Sequence, residues 1–213
     1  MRTALLAVAL VGAIAVPSAG AAPACKNLLV DPAGDAEFLG TGDTAKPVED
    51  GHVVDLLSAD LRSDRKALTV VIRVKGRNPE GGTNSLDHSW ELAFSTATER
   101  YIAFAERSRT GGDLFTLYRV VAGGEDDSTA SAAEGVATTV TGTVDDLRGI
   151  IRMQVPVDAF RADGGLGRSL TRVRGHAWSG ATAYASGGGV GTYGGSDSGS
   201  TNTSYVVGAK SCA

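Results

Sequence analysis

Cysteine is almost missing from this chain: 213 residues hold two, Cys25 and Cys212. That excludes both a disulfide-dense scaffold and a multi-thiolate metal centre. Histidine is nearly as scarce, and His52, His88 and His176 stand singly, without the spacing of any zinc motif. A dominant charge is lacking too: 20 Lys+Arg against 24 Asp+Glu give a formal net charge of −4. Such mild acidity speaks against a polyanionic partner such as nucleic acid. Beyond the N-terminal segment no apolar run approaches about 18 residues, so no membrane span is expected in the rest of the chain. The G-x-S-x-G elbow of an α/β-hydrolase is absent.

The N-terminal segment is where apolar length concentrates. Arg2 gives a positive start, Ala4 to Val16 an apolar stretch, and Ser18-Ala19-Gly20-Ala21-Ala22 a set of small-residue cleavage sites. Residues 1–24 therefore read as a cleaved signal peptide, and 25–213 as one secreted domain. Loss of Arg2 with the leader takes the net charge from −4 to −5. Lipid attachment at Cys25 is the weaker reading, because Ala22-Pro23-Ala24 lacks a large aliphatic residue three before the cysteine. In an oxidising compartment Cys25 and Cys212 are expected to form one disulfide near the two ends of the mature chain. A reactive thiol or metal pair is the alternative. Closing so long a loop is worth about 5 kcal/mol by chain entropy, an upper figure.

Period-2 patterning dominates the mature chain. Leu68, Val70, Ile72 and Val74 alternate with Thr69 and Arg73; Trp90, Leu92 and Phe94 alternate with Glu91 and Ala93; Ile151, Met153 and Val155 line one face of another run. Turn signals such as Ser63-Asp64-Arg65-Lys66 and Gly111-Gly112-Asp113 recur every eight to twelve residues. The expected fold is all-β, a single antiparallel β-sandwich of jelly-roll or immunoglobulin-like type with nine or ten strands. One short helix is expected near 156–162, with Pro156 at its start. The Gly/Ser-rich run 187–200 reads as a surface loop.

Four carboxylates stand out around the first strands: Asp31, Asp35, Asp55 and Asp60. In Asp31-Pro32-Ala33-Gly34-Asp35 the proline stiffens the turn and Gly34 admits a backbone angle other residues avoid. Hard oxygen ligands so placed can hold calcium, although the spacing is not that of an EF-hand. An Asp-rich turn bonding nearby N–H groups is the plain alternative. Trp90 shares the apolar register and belongs to the core. Trp178 instead shares a register with Arg172, Arg174 and His176, so its ring is expected on the outer face, where it can stack on a sugar. Arg172, Arg174 and Tyr184 are candidate helpers; a ring covering a sheet edge is the bland reading. Gly195-Ser196-Asp197-Ser198-Gly199 faintly echoes a trypsin-like nucleophile loop, but His52 lacks the matching context.

The layout of DPAGDA, DLLSADL, LTVVIRV, GIIRMQVP and the terminal TNTSYVVG resembles exported bacterial β-sandwich modules, the superfamily of family 9 carbohydrate-binding modules and DOMON domains. That resemblance implies a jelly-roll-like sandwich, often with structural calcium, and binding instead of catalysis. The expectation is a secreted, non-catalytic module for a polysaccharide or cell-wall glycan. The alternatives are a structural or protein-interaction domain of the envelope, or a secreted enzyme of unrecognised class.

Overall fold

A computed structural model describes residues 27–40, 54–76, 87–108, 112–120, 136–184 and 190–208. Among them the first strands are β1 (Leu29–Val30), β2 (Glu37–Gly40), β3 (Leu56–Ser63), β4 (Ala67–Val74), β5 (Asp87–Ser95), β6 (Arg100–Arg107) and β7 (Asp113–Val120). Then come β8 (Val136–Thr139), β9 (Thr141–Asp145), β10 (Ile150–Pro156), a 3-10 helix (Val157–Asp163), β11 (Ser169–Tyr184), β12 (Val190–Thr201) and β13 (Tyr205–Val206). They form two antiparallel sheets packed face to face. The smaller runs β1-β3-β4-β10-β9; the larger runs β2-β12-β11-β5-β6-β7-β8, with β13 beside β11. No helix among the described residues is long and apolar enough to cross a membrane.

The alternating residues fill the space between the sheets. Leu68, Val70, Ile72 and Val74 of β4 face Trp90, Leu92 and Phe94 of β5, with Ile151, Met153 and Val155 of β10 and Leu170, Val173 and Ala177 of β11 in the same buried cluster. The 3-10 helix follows Pro156, as expected, and its Phe160 meets Tyr101 edge-on at 4.9 Å between ring centres. Such aromatic pairs add to the area they bury.

Two sequence expectations need correction. Thirteen strands are described where nine or ten were expected: β2 and β12 are additions, and 136–145 divides into β8 in the larger sheet and β9 in the smaller, with Val140 buried at the crossing. The Gly/Ser run is not a loop: from Val190 it is β12, paired with β11 from Tyr184↔Val190 to Val173↔Thr201 and with β2 on its other edge; residues 187–189 lie outside the described part. Composition suggested a loop because Gly and Ser bury little apolar area. Here the main chain supplies the pairing, and the missing side chains allow a close approach of two backbones.

Residues 1–24, expected to be a leader, and both cysteines lie outside the described residues. Their neighbours in the chain are anchored close together. The Leu28 N–H donates to Asp60 Oδ1 at 2.9 Å, and the Gly208 N–H to Ser63 Oγ at 2.7 Å. Asp60 and Ser63 are three positions apart on β3, about 10 Å. Extended chain from Leu28 to Cys25, and from Gly208 to Cys212, reaches about 10 and 13 Å. The Cys25–Cys212 disulfide expected from the sequence itself falls outside the described residues. Peptide mapping without reduction is expected to recover the two cysteines joined, and two free thiols in protein from the culture medium would refute the pairing.

Candidate functional site

The even-numbered register of β11 faces outward. Val173 and Ala177 point into the core, whereas Arg174 is exposed and His176 and Trp178 are half-buried. Cross-strand register extends this face over the larger sheet. Ser198, His176, Glu91 and Phe104 form one row across β12, β11, β5 and β6; Ser196, Trp178, Ser89 and Glu106 form the next. A third row carries Ser200, Arg174, Ala93, Ile102 and Tyr118. Phe104 and Tyr118 are half-buried and meet edge to face at 5.8 Å. The outer face therefore presents Trp178 on one side and the Phe104–Tyr118 pair on the other, with Glu91, His176 and Arg174 between them.

Sequence reasoning placed Trp178, Arg172 and Arg174 on one register; the structure keeps Trp178 and Arg174 on the outward register of β11, whereas Arg172 falls in a bulge where pairing with β5 shifts register. Tyr184 lies six residues beyond Trp178 on the same strand, about 20 Å along it, so the strand carries it away from the others. Glu91, Phe104 and Tyr118 were missed as members of the face. Their only sequence signal is that they occupy the polar register of apolar strands.

Burial shapes the charge state of this face. Desolvation pushes the Glu91 carboxyl up to about 7 and pulls the His176 imidazole down. Ser198, His176 and Glu91 stand in the order of a hydrolase triad, yet no hydrogen bond joins them. A Glu91 carboxyl raised toward neutral pH is also a weaker partner for an imidazolium than an ordinary carboxylate. His52 lies outside the described residues.

A second cluster sits at the other end of β1. Asp31, Asp35 and Asp197 bring ligand oxygens within 4.8 Å of one another. The turn that positions the first two has Gly34 at φ +90°, and the Gly34 N–H donates to both carboxylate oxygens of Asp55 at 2.9 and 3.0 Å. Asp197 comes from β12, where its carboxylate accepts the Leu56 and Ser198 N–H groups at 2.7 Å each. Asp31 lies beneath Gly199, at which a Cβ would stand 2.7 Å from Asp31 Oδ1. Burial first, then the negative charges of Asp197, Asp35 and Asp55, raise the Asp31 carboxyl to about 6. Its Oδ2 is buried without a hydrogen-bond partner.

Of the four carboxylates singled out from sequence, Asp31 and Asp35 thus meet, joined by Asp197, which the Gly/Ser composition concealed. Asp55 stands behind the turn, tied to Gly34 and 3.7 Å from Lys75 Nζ. Asp60 lies elsewhere on β3, wholly buried and paired with Arg73 Nη1 at 2.7 Å.

No protein-family model matches this chain, and neither the curated proteins nor the solved structures give a match.

The two shifted groups on the outer face act on stability with opposite signs. Glu91 binds its proton more tightly folded than unfolded, so its contribution is complete below about 4.5 and is lost as pH rises through about 7. From the size of that displacement it amounts to something on the order of 3 kcal/mol. His176 opposes it below its ordinary pKa of 6.5, where a folded imidazole resists protonation. Chemical denaturation with chelator present is therefore expected to show stability falling from about pH 4.5 to about 7, less steeply below 6.5, where His176 opposes the loss. Glu91→Gln is expected to flatten that fall while His176→Gln steepens its part below 6.5. An unchanged slope in Glu91→Gln would place its origin elsewhere.

Proposed function

We propose that this protein is an exported, non-catalytic module that binds a glycan of the cell envelope or its surroundings on the outer face of the larger sheet. One observation carries the reading: three half-buried aromatic rings, Trp178, Phe104 and Tyr118, occupy the outward register of β6, β7 and β11 around Glu91, His176 and Arg174. Aromatic rings offer apolar faces to the C–H faces of sugars, while interleaved carboxyl, imidazole and guanidinium groups can bond hydroxyls. Placing these groups on the outward register leaves the core untouched, as suits a module whose task is recognition. Export rests on the leader expected at 1–24.

The Asp31–Asp35–Asp197 cluster supplies the second element of the proposal, a structural divalent cation. The residues fit one: three carboxylates converge, all donors are hard oxygens, and the buried Asp31 Oδ2 has an unused acceptor. Calcium is the ion best matched to such a set. Bound there, it would neutralise the repulsion among the carboxylates and join the turn after β1 to β12. Asp55 and Asp60 are already engaged by Gly34 and Arg73 and stand outside the ligand set.

A screen of the mature protein against an array of bacterial and plant glycans is expected to find binders. Trp178→Ala should abolish that binding at little cost in stability, whereas Trp90→Ala, which truncates a ring 1% exposed in the core, should cost about 3–5 kcal/mol. If Trp178→Ala unfolds the domain while Trp90→Ala does not, the face has been misassigned.

Calcium is expected to raise the melting temperature, with about 2.7 kcal/mol of added stability at a hundredfold excess over Kd, and chelator to lower it. The exposed Asp35 makes Asp35→Asn a mild substitution that should remove the response, while Asp60→Asn should retain it. No shift with either calcium or chelator would leave only the turn.

A further inference from the structure

Beyond the aromatic face, a cavity of about 280 Å³ opens at the end of β11 that precedes Arg174. Its walls are Arg100 from the start of β6, Arg172, Val173 and Arg174 from β11, and Ser200, Thr201 and Asn202 from the end of β12. Three guanidinium-bearing residues line it and no acidic residue does, in a chain whose formal net charge is −4. A basic lining on an acidic protein is a local device, since the overall charge would repel anions.

The backbone is distorted where the cavity forms. Pairing of β11 with β5 shifts register between Thr171 and Arg174, and at that bulge Arg172 takes φ 51°. Among the described non-glycine residues it alone has a positive φ. An arginine in the left-handed region is disfavoured, and bulges commonly re-aim a side chain at a site. The opposite wall is ordered as well: the Thr203 N–H donates to Thr201 Oγ1 at 3.0 Å, turning the chain at Asn202.

We propose that this cavity binds an oxyanion, a carboxylate, sulfate or phosphate group, carried by the glycan that the neighbouring face holds. The proposal rests on the glycan reading and names its substrate class: an acidic polysaccharide. Guanidinium forks pair with such oxyanions through two parallel N–H···O bonds, and the Ser200 and Thr201 hydroxyls and the Asn202 amide add neutral donors. The volume lies just below the roughly 300–1,000 Å³ usual for small-molecule sites, which suits one charged sugar and not an oligomer. Ser200 pairs with Arg174 at one end of the row whose other end is Tyr118, so the cavity lies beside the face that carries the aromatic rings.

Calorimetric titration of the mature protein with oligosaccharides of equal length distinguishes the possibilities. The set comprises one neutral oligosaccharide, one uronic acid oligomer, one sulfated and one phosphate-bearing, each at 20 and 300 mM salt, with sodium sulfate and sodium acetate as free anions. At least one acidic oligomer is expected to bind tenfold or more tightly than the neutral one at low salt. That preference should shrink at high salt. Arg100→Gln should reduce binding of the acidic ligand at least tenfold and that of the neutral one little. The single variant Arg172→Gln, at an exposed position of the same cavity wall, should show the same selective loss and guards against misfolding of Arg100→Gln.

Equal binding of neutral and acidic oligomers would overturn the anion site while leaving the glycan reading intact. Arginine-dependent binding of a free anion with no oligosaccharide bound would overturn the glycan reading and keep the cavity as an anion site. No binding of either kind would overturn both.

Discussion

The carboxylate of Asp197 holds the two sheets together where they would otherwise part. It lies on β12 of the larger sheet and accepts the N–H of Leu56, the first residue of β3 in the smaller one, across 141 positions of sequence. A buried carboxylate is costly unless every oxygen finds a donor; here Leu56 and Ser198 supply one to each. Charge-assisted bonds of this length are among the stronger ones a protein makes. The consequences spread outward. Fixing Leu56 fixes Asp55 beside it, Asp55 holds the Gly34 N–H, and the Gly34 turn sets Asp35 against Asp31. Gly199, two residues after Asp197, leaves the space in which Asp31 sits.

The other ties between the sheets obey the same logic of polar groups placed at the rim of an apolar interior. The Tyr205 hydroxyl lies 2.7 Å from the Ser63 backbone nitrogen, whose N–H it accepts, and 2.9 Å from Ser63 Oγ. Arg107 of β6 bridges Asp113 and Asp146, joining the larger sheet to the turn after β9. Each lies near the end of a strand, while Trp90, Leu92, Ile72 and Met153 belong to one buried apolar cluster between the sheets. The geometry separates tasks by parity. From Val173 onward the odd positions of β11 enter the core and the even ones face outward with Arg174, His176 and Trp178.

Charge is segregated along the same pair of strands. Asp197 faces the acidic cluster, and three residues later Ser200 borders the cavity lined by Arg100, Arg172 and Arg174. Alternation along a strand makes this arrangement available, since neighbours three apart fall on opposite faces.

What the sequence by itself determined was everything that depends on local period and turn chemistry. The sandwich, the strands around Val70, Trp90 and Met153, the brief helix after Pro156, the special angle at Gly34 and the outward register of Trp178 were all legible, because each is encoded within a few residues. Asp197 was not legible, since a Gly/Ser run carries no apolar period and its strand exists only through main-chain bonds to β11 and β2. Nor was the membership of the two clusters. Asp31 meets Asp197 and not Asp60, and Trp178 shares its face with Phe104 and Tyr118 while Tyr184 lies farther along β11, because register between strands distant in sequence is set by the packed sheets. Periodicity names the face a side chain occupies; only tertiary pairing decides which other side chains share it.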